Sequence, residues 1–181
     1  MRKIRVHGQD EKHIHPILGL NARLDTLQAA VLLSKLTVFD DEIALRQKIA
    51  NYYRERLQSS VGDRMRFQQT SESNTSVFAQ FTLLSPDRDV LLRQLEEHQI
   101  PSVNYYSVPL HLQPVFAQLE HREGDFPVAE SVSRQCLSLP MGPYLSKQDI
   151  DAIVQVINAC DPRIAEKRAL RDDDVPVAVS K

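Results

Sequence analysis

The polar and apolar positions of this 181-residue chain change their period partway along, and that change divides it. Leu27, Val31, Leu32 and Leu36 recur at helical spacing, and the pattern resumes beyond Thr37 with Phe39, Ile43, Ala50, Tyr53 and Leu57. These spacings predict two consecutive helices over residues 26–36 and 38–58. Asp25 followed by Gln28 has the residue types of a capping box at the first helix start. After Ser59, Ser60 and Gly62 the pattern becomes alternating, and strands are expected over 64–69 and 76–84. Ser85 and Pro86 then introduce a helix to about His98, and Ser102 to Tyr106 suits a short strand. Pro127 opens a further helix carrying Val128, Val132 and Cys136 on one face, and Pro140 and Pro143 close the segment after Leu137-Ser138-Leu139. Ser146 with Asp149 forms a second capping signal, ahead of the stripe Ile150, Ile153, Val154 and Ile157.

This order predicts a small α+β domain, with an antiparallel sheet covered by helices and a long helical arm before it. The expected divisions are a loop and helical arm over 1–62, the α+β domain over 63–160, and a charged, aperiodic, disordered tail over 161–181. Residues 1–24 carry Gly8, Pro16 and Gly19 without sustained period and read as loop.

Composition narrows the function. The hydrophobic content of 42% can supply a core, and a formal charge of −2 with intermixed signs provides no basic stripe for nucleic acid. No run approaches the roughly 18 apolar residues of a membrane span, and Met1–Val6 leads into polar residues instead of a signal-peptide core, so a soluble cytoplasmic protein is expected. Cys136 and Cys160 fit neither a disulfide framework nor a C-x-x-C pattern.

Chemistry has few places to reside. His7, His13 and His15 are close in sequence but match no closed ligand set, so solvated loop histidines are preferred and no metal site is assigned. No phosphate-binding glycine loop, dinucleotide fingerprint, nucleophile elbow or H-E-x-x-H motif is present. In Gly19-Leu-Asn-Ala-Arg-Leu-Asp25, Asn21 and Arg23 stand just before a helix start. An Asn amide can donate to a phosphate, and an Arg fork can hold a phosphate or carboxylate; the competing reading is a turn-forming Asn and an Arg paired with a nearby acid. In Ser102-Val-Asn-Tyr-Tyr-Ser-Val-Pro-Leu-His111, the residues Tyr105, Tyr106 and His111 could shape a sugar or cofactor pocket, or pack an edge.

Taken in order, His7-Gly-Gln-Asp10, the segment from Gly19 to Leu36, that from Phe39 to Leu57, Ser76–Leu83, Tyr105–Phe116 and Gly124–Leu145 resemble the DegT/StrS sugar aminotransferases over residues 4–157. The resemblance is to the C-terminal portion of that family. It is strongest to members that aminate a UDP-linked 2-acetamido-3-oxo-hexuronic acid for O-antigen or capsule sugars. It implies a fold-type-I pyridoxal-phosphate enzyme that takes an amino group, usually from glutamate, and works as a homo-oligomer.

The resemblance also implies individual roles. Asn21 would reach the cofactor phosphate across the dimer, Arg23 would bind the acidic sugar, and Tyr105 and Tyr106 would help form the substrate pocket. The family's large domain, with its Schiff-base lysine, would lie before Met1, and Ser107 stands where the family usually has proline. Two readings follow: a fragment that is inactive and does not hold pyridoxal phosphate alone, arising by truncation, expression as a piece or a split enzyme, or a non-catalytic interaction or sugar-nucleotide-binding module.

Overall fold

The computed structural model describes residues 1–61 and 64–160, and the expected tail over 161–181 lies outside the described residues. The chain forms two compact units, Met1–Glu42 and Ile43 onward.

In the first unit, two limbs of the opening loop run antiparallel through a bridge between Val6 and Asn21. The amides of His7, Leu20 and Ala22 donate to Leu20, Ile4 and Arg5 carbonyls at 2.9, 2.7 and 2.9 Å. The limbs meet so closely that a Cβ on Gly19 would overlap the backbone of His7 and Gly8, and Gly8 itself has φ +70°. Only glycine fits both demands. Helix α1 spans Thr26–Leu36. Asp25 is its N-cap but makes no side-chain capping bond, so the expected capping box with Gln28 does not form. Asp25 and the residues after it are exposed, and water can serve the free amides of this helix start. No residue of α1 is buried.

Helix α2, Phe39–Val61, crosses the division between the units. From Ile43 on it belongs to the α+β unit, and Ile49, Ala50, Tyr53 and Leu57 are buried in that unit's core. The compact α+β unit therefore begins about twenty residues before Gly62, the point at which the sequence period changes.

The sheet has three antiparallel strands in the order β1 (Arg66–Phe67), β2 (Phe81–Leu84), β3 (Cys136–Leu139). Phe81 pairs with Leu139 and Leu83 with Leu137, so these four alternate residues share one face. Into the same core go Leu91 and Leu95 of α3 (Arg88–Glu97) and Ile150, Ile153, Val154 and Ile157 of α5 (Lys147–Ala159). Tyr53 stacks on Phe81 at 4.9 Å and 19°, and its phenol donates to the Pro140 carbonyl at 3.0 Å. Burial pushes the Tyr53 phenol far up, so it remains a donor throughout the working range. Outside this core, Tyr52 and Arg56 both bind Asp151, tying α2 to α5 at 3.0 and 2.8 Å. The capping box of Ser146 and Asp149 forms as expected.

The strands are shorter than their alternation suggests, for a specific reason. Arg46 Nη1 donates to the Phe78 carbonyl at 3.1 Å and Gln47 Nε2 to that of Ser76 at 3.3 Å, while Arg54 binds the Gln68 carbonyl. Side chains of α2 take up carbonyls that ladder pairing would need, so 76–80 and 68–69 are not strand. The expected strand at Ser102–Tyr106 is reduced to one bridge between Val103 and Ser138. The third strand is instead β3, immediately after helix α4 (Pro127–Gln135); Cys136, assigned by period to the helical face, adopts extended backbone at its end.

Tyr53 should thus be a principal stability residue. Tyr53→Phe should cost about 1–2 kcal/mol through the unserved Pro140 carbonyl, and Tyr53→Ala about 3–5 kcal/mol, measured by urea unfolding. Equal stability of Tyr53→Phe and the parent would show that the phenol contributes nothing.

Candidate functional site

Within the second unit, the segment between the Val103 bridge and α4 folds into two 3-10 turns, Leu110–Leu112 and Pro114–Leu119. Pro109 and Pro114 lack amide hydrogens and hold φ near the value such turns need, so the segment does not continue as α-helix. Together with α4 it surrounds a cleft of about 670 Å3. Most of the wall is apolar or aromatic, including Tyr106, Phe116, Leu119, Phe126 and Val132. A volume of this size falls within the roughly 300–1,000 Å3 range of small-molecule sites.

One buried carboxylate organises the wall. Glu130 Oε1, on the first turn of α4, accepts from the Gly124 amide at 2.9 Å, the Phe126 amide at 3.2 Å and His111 Nε2 at 3.1 Å. The His111 and Glu130 side chains are only 8% and 5% exposed. Burial pushes the Glu130 carboxyl up, but the Gly124 and Phe126 amides and His111 outweigh it and hold the group below its ordinary value. The His111 ring also packs on Phe126 at 4.7 Å, and His121 meets the same ring edge-on at 5.0 Å. Asp125 is held low by the Arg122 amide, 2.9 Å away, with His121 adding to the effect.

The four residues singled out by sequence fall in two places. Tyr105 and Tyr106 lie in a turn joined by a cis peptide, with their rings edge to face at 5.5 Å and 73°. Tyr106 is 71% exposed and lines the main cleft, whereas Tyr105 lines a smaller hollow with Val103 and Ser138. Asn21 and Arg23 belong to the first unit; both are exposed, and neither side chain has a hydrogen-bond partner among the described residues. The Asn21 backbone is fixed by its bridge to Val6, while its amide is left available. His15 Nδ1 lies 3.0 Å from the His7 carbonyl, and no group of three potential metal ligands gathers among the described residues. Burial pushes the free thiols of Cys136 and Cys160 up, away from the thiolate form.

Glu130 is the site residue that periodicity did not single out. Its signal was available in Gly124-Asp-Phe-Pro-Val-Ala-Glu130, where an acid on the turn after a first-position proline can reach back to the amides before it.

Because the folded carboxyl titrates below its ordinary value, ionised Glu130 stabilises the fold fully above the unfolded pKa of about 4.5, and this contribution is lost as pH falls through the lower folded value. Glu130→Gln should lower stability at neutral pH and flatten the acid side of the stability profile. The same acid slope in both proteins, measured by chemical unfolding between pH 3 and 7, would exclude this role.

Comparison with known proteins places these features in context. A Geobacillus stearothermophilus protein named pleiotropic regulatory protein is 42% identical over 86% of this chain and 42% of its own length. The UDP-2-acetamido-2-deoxy-3-oxo-D-glucuronate aminotransferase of Pseudomonas aeruginosa is 40% identical over 84% of this chain and 41% of its own length. The crystal structure of a DegT DnrJ EryC1 StrS aminotransferase from Brucella abortus superposes with a TM-score of 0.76 at 40% identity, covering 87% of this chain and 42% of that one. The chain thus spans less than half the length of the relatives it matches. The family model for DegT/DnrJ/EryC1/StrS aminotransferases, whose members depend on pyridoxal phosphate, matches residues 1–158. A continuous match over nearly all the described chain, with the same α+β fold, establishes that the chain belongs to the DegT/DnrJ/EryC1/StrS aminotransferase family.

Proposed function

We propose that this chain forms the C-terminal part of a cytoplasmic, pyridoxal-phosphate-dependent aminotransferase that aminates a UDP-linked keto sugar for O-antigen or capsule polysaccharide. The observation carrying this reading is the cleft at Tyr106, of small-molecule size and largely aromatic and apolar, on a chain of this family. The 40% identity to the Pseudomonas aeruginosa enzyme favours an acidic 3-oxo sugar. Arg23, exposed and without a partner among the described residues, is suited to the sugar carboxylate, and the equally available Asn21 amide to the cofactor phosphate. Tyr106, with Tyr105 beside it, would position the sugar.

The described residues do not fit the aldehyde end of the cofactor, which requires a lysine. Lys3 pairs with Asp10 at 2.6 Å, Lys147 lies over the Tyr52 ring at 5.2 Å, and Lys12, Lys35 and Lys48 are exposed outside the cleft lining. Lys167 and Lys181 fall outside the described residues. Pyridoxal phosphate, when bound, supplies the electron sink for amino transfer. In this proposal the lysine comes from the part of the family's length that the chain does not span, on the same or a second polypeptide.

Incubated alone with pyridoxal phosphate and reduced with borohydride, the chain should show only scattered lysine labelling by mass spectrometry, with no glutamate-dependent amination. Supplied with the remainder of the family's length, it should aminate the keto sugar. In that assembly Arg23→Ala should raise KM for the acidic substrate about 10–100-fold, matching the loss of one hydrogen bond to a charged group. Stoichiometric labelling of one lysine and turnover by the chain alone would refute the division of labour; failure of the completed enzyme to aminate would refute the activity.

Homo-oligomer formation is part of the same proposal. Leu27, Val31 and Leu36 on α1 are 83%, 57% and 62% exposed, and apolar side chains grouped in this way favour association. The chain should sediment above monomer mass, and Leu27→Ser with Val31→Ser should shift it toward monomer. A concentration-independent monomer for the parent chain would contradict the idea.

A further inference from the structure

Arg88, at the start of α3, does not line the cleft, yet its side chain is only 12% exposed. A guanidinium taken that far out of water needs partners. Its Nε pairs with Asp89 Oδ1 at 2.6 Å, on the solvent side, since Asp89 is 79% exposed. Its Nη1 meets the side-chain amide of Asn104, the residue immediately before Tyr105. The other end of that amide lies 3.2 Å from the Cys136 carbonyl, where β3 begins. A guanidinium offers only hydrogens and a carbonyl only lone pairs, so the amide turns its oxygen to Arg88 and donates from its nitrogen to Cys136. Asn104 is thereby clamped between α3 and β3 by one charge-assisted and one neutral hydrogen bond.

The clamp takes over where pairing with the sheet stops. Val103 exchanges both backbone bonds with Ser138, at 3.2 and 2.8 Å, and its bridge is one residue long. The turn that follows folds back over the end of α4. The Cys136 sulfur lies 2.8 Å from the Asn104 amide, 3.9 Å from the Tyr106 carbonyl and 3.8 Å from the Ser133 carbonyl, and Cys136 is 1% exposed. Two of these three polar neighbours belong to the segment that carries the tyrosines, so the thiol is covered only while that segment stays down.

We infer that Arg88 positions the Tyr105–Tyr106 turn, acting through the Asn104 amide, and so fixes the rim of the cleft from a helix that does not line it. Its consequence for substrate rests on the reading that Tyr105 and Tyr106 position the sugar, whereas the clamp itself stands on the contacts of Arg88, Asn104 and Cys136. Arg88 is a positioning residue, because Tyr106 borders the cleft and Arg88 does not.

The test uses Cys136 as a reporter of the turn. In the full chain, its alkylation by iodoacetamide is followed by peptide mass spectrometry, which separates it from Cys160, beside urea unfolding of the same proteins. Arg88→Ala and Asn104→Ala should each speed the reaction about tenfold, as expected for the loss of a hydrogen bond to a charged group, while the global unfolding constant changes less. Loss of charge acts the other way, because Arg88 favours the Cys136 thiolate and its removal slows alkylation. If the two residues act through one contact, the double variant should react no faster than Asn104→Ala alone. Additive effects, unchanged alkylation, or a rise no larger than that of the global unfolding constant overturns the proposal, and either single variant decides it if the other does not fold. In the completed enzyme, Arg88→Ala should raise KM for the keto sugar about tenfold and retain kcat, the mark of lost substrate positioning. Faster alkylation with unchanged KM would leave the clamp standing and reject the tyrosines as sugar contacts, and unchanged alkylation in an enzyme that aminates would reject the clamp alone.

Discussion

Burial of one face of a three-stranded sheet is the constraint on which the α+β unit depends. Phe81, Leu83, Leu137 and Leu139 meet on that face through antiparallel register, and a helix from each side of the sheet in sequence covers them. Tyr53 is the joint between helix and sheet. Its ring stacks on Phe81 while its hydroxyl serves the Pro140 carbonyl at the point where β3 ends. Packing and polar satisfaction are thus met by one side chain, and neither can be altered without disturbing the other.

The cleft depends on this core at one remove. β3 follows α4 without an intervening loop, so docking of Leu137 and Leu139 into the sheet also places α4, and with it Glu130. Glu130 then supplies an acceptor to the two amides and the imidazole of a segment with no regular ladder of its own. A proline-interrupted segment cannot satisfy its backbone internally, and a buried anion with several donors is one way to fix it.

The helices were legible because each has an apolar stripe long enough to register: Leu91 with Leu95 in α3, and Ile150, Ile153, Val154 and Ile157 in α5. Strands were less so. Alternation at Ser76–Gln80 marks side chains that can face two ways, but Arg46 and Gln47 of α2 occupy its carbonyls. Cys136 fits the helical period of α4, yet pairing with Leu84 turns it into a strand. The aromatic positions Tyr105 and Tyr106 stood out by type, and His111 by its company, while Glu130 was hidden among the acids of an ordinary helix start.

From the sequence alone came the helix faces, the Ser146–Asp149 cap, the α+β class and a family resemblance carried by ordered segments, because each depends on residue type and spacing along a few neighbouring turns. Local chemistry suffices for these. The tertiary structure decided which alternating run entered the sheet, that α2 enters the core from Ile49 onward, and that Glu130 and His111, nineteen positions apart, share a hydrogen bond. Those outcomes turn on which distant group reaches a carbonyl, an amide or an imidazole first, and a competition of that kind has no period along the chain.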